Sequence, residues 1–155
     1  MSGTAATALT ALAAVGSGTV GGVFFAFDSF VLRGLARLPD GVGADAMRSI
    51  NVAAVRPAFM TALFGTAALS VGVVVLGVRS PETVERVLLV GGAGAYLAGT
   101  VLTTIVRNVP LNDALEARQG ATWMQFLAAW SRANRLRTAA SLAASAAFTI
   151  ALARP

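Results

Sequence analysis

The chain has 155 residues and a net charge of +5, and it contains no histidine, no cysteine and no lysine. Without cysteine it has no disulfides, no thiolate catalysis and no iron–sulfur ligation, and without histidine it lacks the commonest general base and the usual haem, copper and zinc ligand. The arginines form neither a basic tail nor a basic–aromatic stripe, so nucleic acid is not expected as a partner.

Charged residues make up 12% of the chain, and four uncharged apolar blocks separate them, at residues 5–27, 58–78, 87–106 and 138–153. A soluble domain carries about twice that share of charge. The first three blocks are long enough to cross a hydrocarbon core of about 30 Å as helices. These features predict a single integral membrane domain over residues 1–155.

Four long helices are predicted, over about residues 5–32, 58–78, 81–107 and 122–153. The first is expected to be retained, because it lacks the positively charged start of a signal peptide. Between the first two helices, the pattern predicts a short amphipathic helix near residues 44–55, with Met47, Ile50 and Ala54 on one face.

Boundary signals flank the third long helix. Ser80 suits an N-cap and Pro81 suits the first helical position, so the helix is predicted to begin there. Pro110 is predicted to end it, because proline lacks the backbone donor and disfavours helical geometry in the preceding residue. Asp113 and Glu116 then fit a capping arrangement at a new helix start. A polar segment is therefore expected over residues 108–120.

Small residues recur at a spacing of four on three of these helices: Gly18 and Gly22, then Gly91, Ala95 and Gly99, then Ala139, Ala143 and Ala147. Such residues let helix backbones approach each other in lipid. The predicted fold is an all-α, integral membrane four-helix bundle with two long polar loops on one side.

Arginines are distributed unevenly between the two ends of this predicted bundle. Nine lie on the long-loop side, at positions 33, 37, 48, 56, 107, 118, 132, 135 and 137, and three lie on the other side, Arg79, Arg86 and Arg154. Basic residues favour the cytoplasmic side. We therefore expect a multi-pass protein of the cell membrane with cytoplasmic long loops and both termini outside.

Three polar clusters fall at the loop-side end. They contain Asn51 and Arg56, then Asn108 and Asn112, then Trp130, Asn134 and Arg137. The last three lie on one stripe of the fourth helix because they are spaced by four and three residues. Amides, guanidinium groups and an indole beside apolar walls suit a flat, partly polar organic molecule. The side chains of Arg56, Asn108, Asn134 and Arg137 are predicted to line one cavity.

These residues also have structural interpretations. Arginines at helix ends can serve as orientation signals or snorkel, tryptophans can form an interfacial belt, and asparagines can cap helices. The first interpretation applies to Arg56 and Arg137, the second to Trp130, and the third to Asn51 and Asn108.

Asp28 differs from these residues because it follows the aromatic run 24–27 near the end of an apolar helix. A carboxylate in such a setting needs a partner. Pairing with a loop arginine, such as Arg33 or Arg56, and a role in proton handling both stay open.

Several motifs carry a resemblance to a known family. Residues 47–59 include Met47, an Ile-Asn pair at 50–51 and Arg-Pro-x-Phe at 56–59. Residues 108–112 read Asn-Val-Pro-Leu-Asn, and the last helix carries Trp130, Asn134 and Arg137. With these motifs the chain resembles the anthrone oxygenase family of small integral membrane proteins, long described as a domain of unknown function.

The resemblance implies a cofactor-independent oxygenase or oxidase, with neither metal nor organic cofactor, acting on a lipophilic anthrone, phenol or quinol. The members for which the family is named resemble oxygenases that turn an anthrone into an anthraquinone with O₂, whereas most bacterial relatives have no assigned activity. A carboxylate would remove the substrate proton, Asp113 as first candidate and Asp28 as second. The substrate-binding candidates are Asn51, Arg56, Asn108, Asn112, Trp130, Asn134 and Arg137. Trp130 would stack on the aromatic plane, and an arginine or asparagine would stabilise the anion.

Two other classes of function stay open. The same polar end would serve a non-enzymatic membrane subunit or a small-molecule or lipid-binding protein. A transporter is less favoured, because four helices in one protomer form only a small pathway unless the protein oligomerises. The expected partners are a lipophilic small molecule and the lipid bilayer, and both a homo-oligomer and a partner membrane subunit stay open.

Overall fold

The structure is a computed structural model that describes residues 3–154, and these residues form helices and no strand. The five helices in this range are α1 (Gly3–Leu35), α2 (Asp40–Ala54), α3 (Pro57–Arg79), α4 (Thr83–Glu116) and α5 (Trp123–Leu152). The predicted all-α class is confirmed. Helices α1, α3 and α4 are long and apolar enough to cross a membrane, whereas the more polar α5 is not among these candidates.

Two of the long helices contain wide turns with i→i+5 hydrogen bonds. These turns cover Phe27–Val31 in α1, and Ala95–Leu102 and Thr104–Asn108 in α4. Such turns are rare and are frequent at functional sites. Asp28 and Asn108, two of the predicted site residues, lie within them.

Pro110 does not end the third long helix, contrary to the prediction. Helix α4 continues to Glu116, and most of the polar segment predicted over 108–120 is helical. Pro110 directly follows the wide turns of Thr104–Asn108. Because the backbone is already widened there, the proline ring meets less obstruction from the preceding turn than in a regular α-helix. Asp113 consequently lies in the last turn of α4 and not at a helix start.

Side-chain caps define the starts of α4 and α5. Glu82, not Ser80, is the N-cap of α4: its carboxylate accepts the backbone N–H of Glu85 at 2.5 Å, and this bond holds the pKa of Glu82 below its usual range. The Ser80 hydroxyl instead donates to the Glu85 carboxylate at 2.6 Å. At α5, Thr122 and Gln125 form a reciprocal capping box, in agreement with the predicted start.

The long helices pack in a ring in which α1 and α4 each contact both α3 and α5. Side chains that are fully buried between them include Val20, Leu63, Val73, Tyr96 and Phe148. This packing positions the loop-side ends of all four helices around a common space.

The glycines at which two helices approach closely are only in part those that the sequence predicted. A Cβ added at Gly99 would lie 2.4 Å from the Cβ of Ala140, so Gly99 is a position of close approach between α4 and α5. Gly91 and Gly22, however, have open space beside them, and their neighbours Gly92 and Gly21 pack against α5 instead. In α4 the wide turns from Ala95 onward change the angular register, so Gly91 and Gly99 do not stay on one face.

Helix α2 covers the loop-side end of the molecule. Met47 is fully buried in a cluster with Leu35 from the end of α1 and with Trp123, Phe126 and Trp130 from α5. Ile50 packs at the edge of this cluster. The apolar face predicted for the short helix therefore points inward, and α2 closes one side of the space between the long helices.

Candidate functional site

A pocket of about 430 Å³ lies beneath α2, and all five helices contribute to its lining. Its walls are largely apolar, with aromatic side chains from Phe24, Phe27, Phe59, Phe64 and Trp130. The Phe24 and Phe59 rings pack edge to face with centroids 5.9 Å apart. The size and the aromatic lining suit a flat organic molecule of a few fused rings.

Five of the predicted site residues line this pocket: Asn51, Asn108, Asn112, Trp130 and Arg137. Asn51 comes from α2, the next two from the end of α4, and the last two from α5. The indole N–H of Trp130 donates to Asn112 Oδ1 at 2.9 Å. This bond helps to fix the orientation of the indole ring at the wall of the pocket.

Arg137 is the positively charged residue in the pocket lining. It is almost completely buried, with only 4% of its surface exposed. Its guanidinium group donates to Asn134 Oδ1 at 2.8 Å and to Thr104 Oγ1 at 3.3 Å. The guanidinium carbon lies 4.1 Å from the ring centroid of Phe24 and 5.0 Å from that of Trp130. Hydrogen bonds and cation–π contacts therefore hold the charge in one place.

Asn108 is 1% exposed, and neither atom of its amide has a hydrogen-bond partner among residues 3–154. The Nε atom of Arg137 is likewise buried and unpaired within this range. A buried polar atom without a partner costs about 1–3 kcal/mol. Two residues that line one pocket thus carry a donor, an acceptor and a further donor that no described residue satisfies, so these atoms are free to pair with polar groups of a ligand.

Asp28 lies behind Arg137 and is linked to it through Asn134. The Asp28 carboxylate accepts the Asn134 amide N–H at 2.8 Å and the Thr138 hydroxyl at 2.6 Å. Asn134 is fully buried, and its amide also donates to the Phe24 carbonyl at 2.9 Å. Asp28 therefore forms no ion pair with Arg33 or Arg56, both of which the sequence left open as partners.

Four predicted site residues do not line the pocket. Asn134 supports Arg137 from behind, and Asp28 lies behind Asn134. Arg56, which has extended backbone immediately before Pro57, is exposed. Asp113 is exposed on the outer side of α4, while its neighbour Asn112 faces inward. The predicted cavity thus contains Asn108 and Arg137 but neither Arg56 nor Asn134.

Several residues that line the pocket were not predicted from the sequence. Phe24 and Phe27 belong to an aromatic run that could have been assigned to the site, because its spacing places both rings near one face of α1. No sequence pattern indicated Thr104, which accepts a hydrogen bond from Arg137. Its position depends on the wide turns of α4.

The fold and the pocket define a small helical protein with membrane-compatible helices and a largely apolar ligand pocket that contains a buried arginine. The chain belongs to the anthrone oxygenase family, whose family model matches residues 51–147, more than half of the chain. The resemblance inferred from the sequence is therefore confirmed. Comparisons with curated proteins and with solved structures found no match. The matched range contains every predicted site residue except Asp28.

Proposed function

We propose that this protein is a membrane-embedded oxygenase or oxidase that acts on a flat lipophilic aromatic with an acidic proton. The substrate class comprises anthrones, phenols and quinols, and the reaction uses neither metal nor organic cofactor. Family membership supports the reaction type. The observation that carries the proposal is the unpaired Asn108 amide, which lines the same aromatic-walled pocket as Arg137.

The proposed chemistry begins with binding of the substrate oxygen by Arg137 and Asn108. A guanidinium group and an amide donor stabilise the anion that forms when the substrate loses its proton. The aromatic plane would lie along the indole of Trp130. The substrate supplies the electrons for reduction of O₂. For an anthrone, the central carbon loses two hydrogens and gains one oxygen as a ketone, and the second oxygen leaves as water.

No carboxylate lines the pocket among residues 3–154. We therefore propose that Asp28 is the countercharge that positions Arg137 through Asn134, without contact with the substrate. The proton would leave to water at the mouth of the pocket. Asp113, the first candidate for the base, would act from an exposed position, and a variant of each carboxylate tests the assignment.

A second candidate function is a non-enzymatic binder or membrane subunit that uses the same pocket. The absence of a carboxylate from the described lining favours it. Oxygen uptake by the purified protein with an anthrone separates the two. Uptake that exceeds the spontaneous rate supports the enzyme, whereas tight binding without added uptake supports the binder. A homo-oligomer and a partner membrane subunit are compatible with either.

Asn108→Leu is expected to weaken binding of a hydroxyanthraquinone, a product-like coloured probe, by about tenfold through loss of one hydrogen bond. The apparent melting temperature should not fall, because the Asn108 amide has no partner in the described protein. Absorbance titration and thermal unfolding in detergent measure the two effects.

Asn112→Leu is the matched contrast, since its amide oxygen accepts the Trp130 N–H. This variant should lower the melting temperature. An Asn108→Leu protein that loses stability but keeps its affinity for the probe would contradict the proposed ligand contact.

We further propose that α5 crosses the membrane together with α1, α3 and α4, as a four-helix bundle. The packing of α5 against α1 and α4 supports this arrangement. The excess of arginine at the end covered by α2 supports cytoplasmic loops and outer termini.

An Asp45→Cys protein is expected to resist an impermeant thiol reagent in intact cells and to react after permeabilisation. Position 45 is exposed on α2, and the natural chain has no competing cysteine. Thr83→Cys, at the exposed start of α4 on the opposite side, should react in intact cells. The reverse labelling pattern would place α2 outside the cell.

A further inference from the structure

A second cavity, a groove of about 680 Å³, runs along the outside of α4 and α5 and shares no lining residue with the pocket. Small side chains, including Ala98, Ala129 and Ala133, form its floor. Leu102 and Leu136 rise beside them, and each is 52% exposed. The groove is therefore an open surface of mainly apolar side chains that no part of the described chain covers.

Two cations, Arg107 and Arg132, line the same groove. Both side chains are exposed, and neither forms an ion pair within residues 3–154. An apolar groove with two unneutralised guanidinium groups is complementary to a molecule with an acyl chain and an anionic head. Arginine matches phosphate oxygens well because its planar fork donates in pairs.

A comparable groove of about 630 Å³ lies on the α1 side of α5 and contains Arg33 and Arg135. The charged residues of the two grooves differ in one respect, because the acidic residue Asp28 also lines this one. That negative charge makes the second groove less favourable for an anion. The pair of grooves thus provides an internal comparison with equal numbers of arginines.

We propose that the Arg107–Arg132 groove binds an anionic phospholipid, with an acyl chain along the alanine floor and the phosphate held by the two arginines. Basic pockets between membrane helices on the cytoplasmic side bind anionic headgroups in this way. The inference rests on the proposal that α4 and α5 lie in the bilayer with this end facing the cytoplasm. It is independent of the chemistry in the pocket.

The test uses the full-length protein in a neutral detergent, with binding measured by native mass spectrometry and by thermal stabilisation. Phosphatidylglycerol should bind more tightly than phosphatidylcholine with the same acyl chains. The Arg107→Gln/Arg132→Gln variant should lose roughly 30-fold in affinity for phosphatidylglycerol, from about 1 kcal/mol for each arginine. The Arg33→Gln/Arg135→Gln variant, which removes the same charge, should keep most of that affinity.

Ala133→Phe fills the floor and keeps both arginines, so it should also weaken phosphatidylglycerol binding. If the Arg107→Gln/Arg132→Gln variant does not fold, Ala133→Phe still tests the proposed lipid site. Equal affinity for the two lipids, or equal losses in the two arginine variants, would overturn the proposal. Glycerol phosphate binding as tightly as the lipid would show a phosphate site without an acyl-chain contribution and would overturn it as well.

Discussion

Arg137→Gln is expected to lower turnover of an anthrone-like substrate by about 10²–10³-fold, because it removes the group that stabilises the developing anion. Glutamine keeps the methylene stem and a polar amide at this position, but it is shorter than the guanidinium group that donates to Asn134 at 2.8 Å. The variant therefore removes the charge while retaining much of the local packing. Oxygen uptake at several substrate concentrations gives kcat and kcat/KM for the comparison.

Arg135→Gln is the matched control, since Arg135 is exposed on the same helix and does not line the pocket. Its turnover should stay close to that of the natural protein. Arg137→Lys should fall between the two, because lysine keeps the charge but not the planar contacts with Phe24 and Trp130. Normal turnover and normal probe binding in Arg137→Gln would exclude Arg137 from the site.

Asp28→Asn is expected to destabilise the ligand-free protein by about 2–3 kcal/mol, because Arg137 is left as a buried cation without its countercharge. The loss should be smaller than for a fully buried pair, since Asp28 is only half-buried. An anionic hydroxyanthraquinone should then raise the melting temperature of the variant by more than that of the natural protein. The bound anion would replace the missing carboxylate.

Asp113→Asn is the control for this result, because its exposed position predicts little change in stability, binding or turnover. An unchanged melting temperature in Asp28→Asn would contradict the countercharge role. Loss of turnover with intact binding in Asp28→Asn would instead identify Asp28 as the base. The same outcome in Asp113→Asn would assign that role to Asp113, as the sequence first suggested.

The sequence was sufficient to predict an all-α chain and the approximate positions of its long helices. Helix α3 spans Pro57–Arg79, close to its uncharged block at 58–78, because block length and a proline start are local properties. The end of α4 could not be obtained in this way. Proline is a helix breaker in isolation, but here it follows directly on wide turns and the helix continues.

The end of the molecule at which most of the candidate site residues lie was also predictable from the sequence. Chain connectivity sends the end of the third long helix and the polar stripe of α5 to the same end. Asn108, Asn112, Trp130 and Arg137 meet there for that reason. Periodicity places a residue on a face of a helix, but it does not specify how deeply the side chain penetrates. Asn134 was therefore assigned to the cavity, although it lies behind Arg137.

The sequence by itself determined helix class, membrane-compatible helix length, family and the end of the molecule that holds the polar residues, because these follow from composition, spacing and connectivity. Only the tertiary structure decided the partners of Asp28 and the pocket that α2 closes. Asp28 and Asn134 are 106 positions apart in the chain and meet at 2.8 Å. Such a contact depends on the relative rotation of α1 and α5, which packing between helices sets.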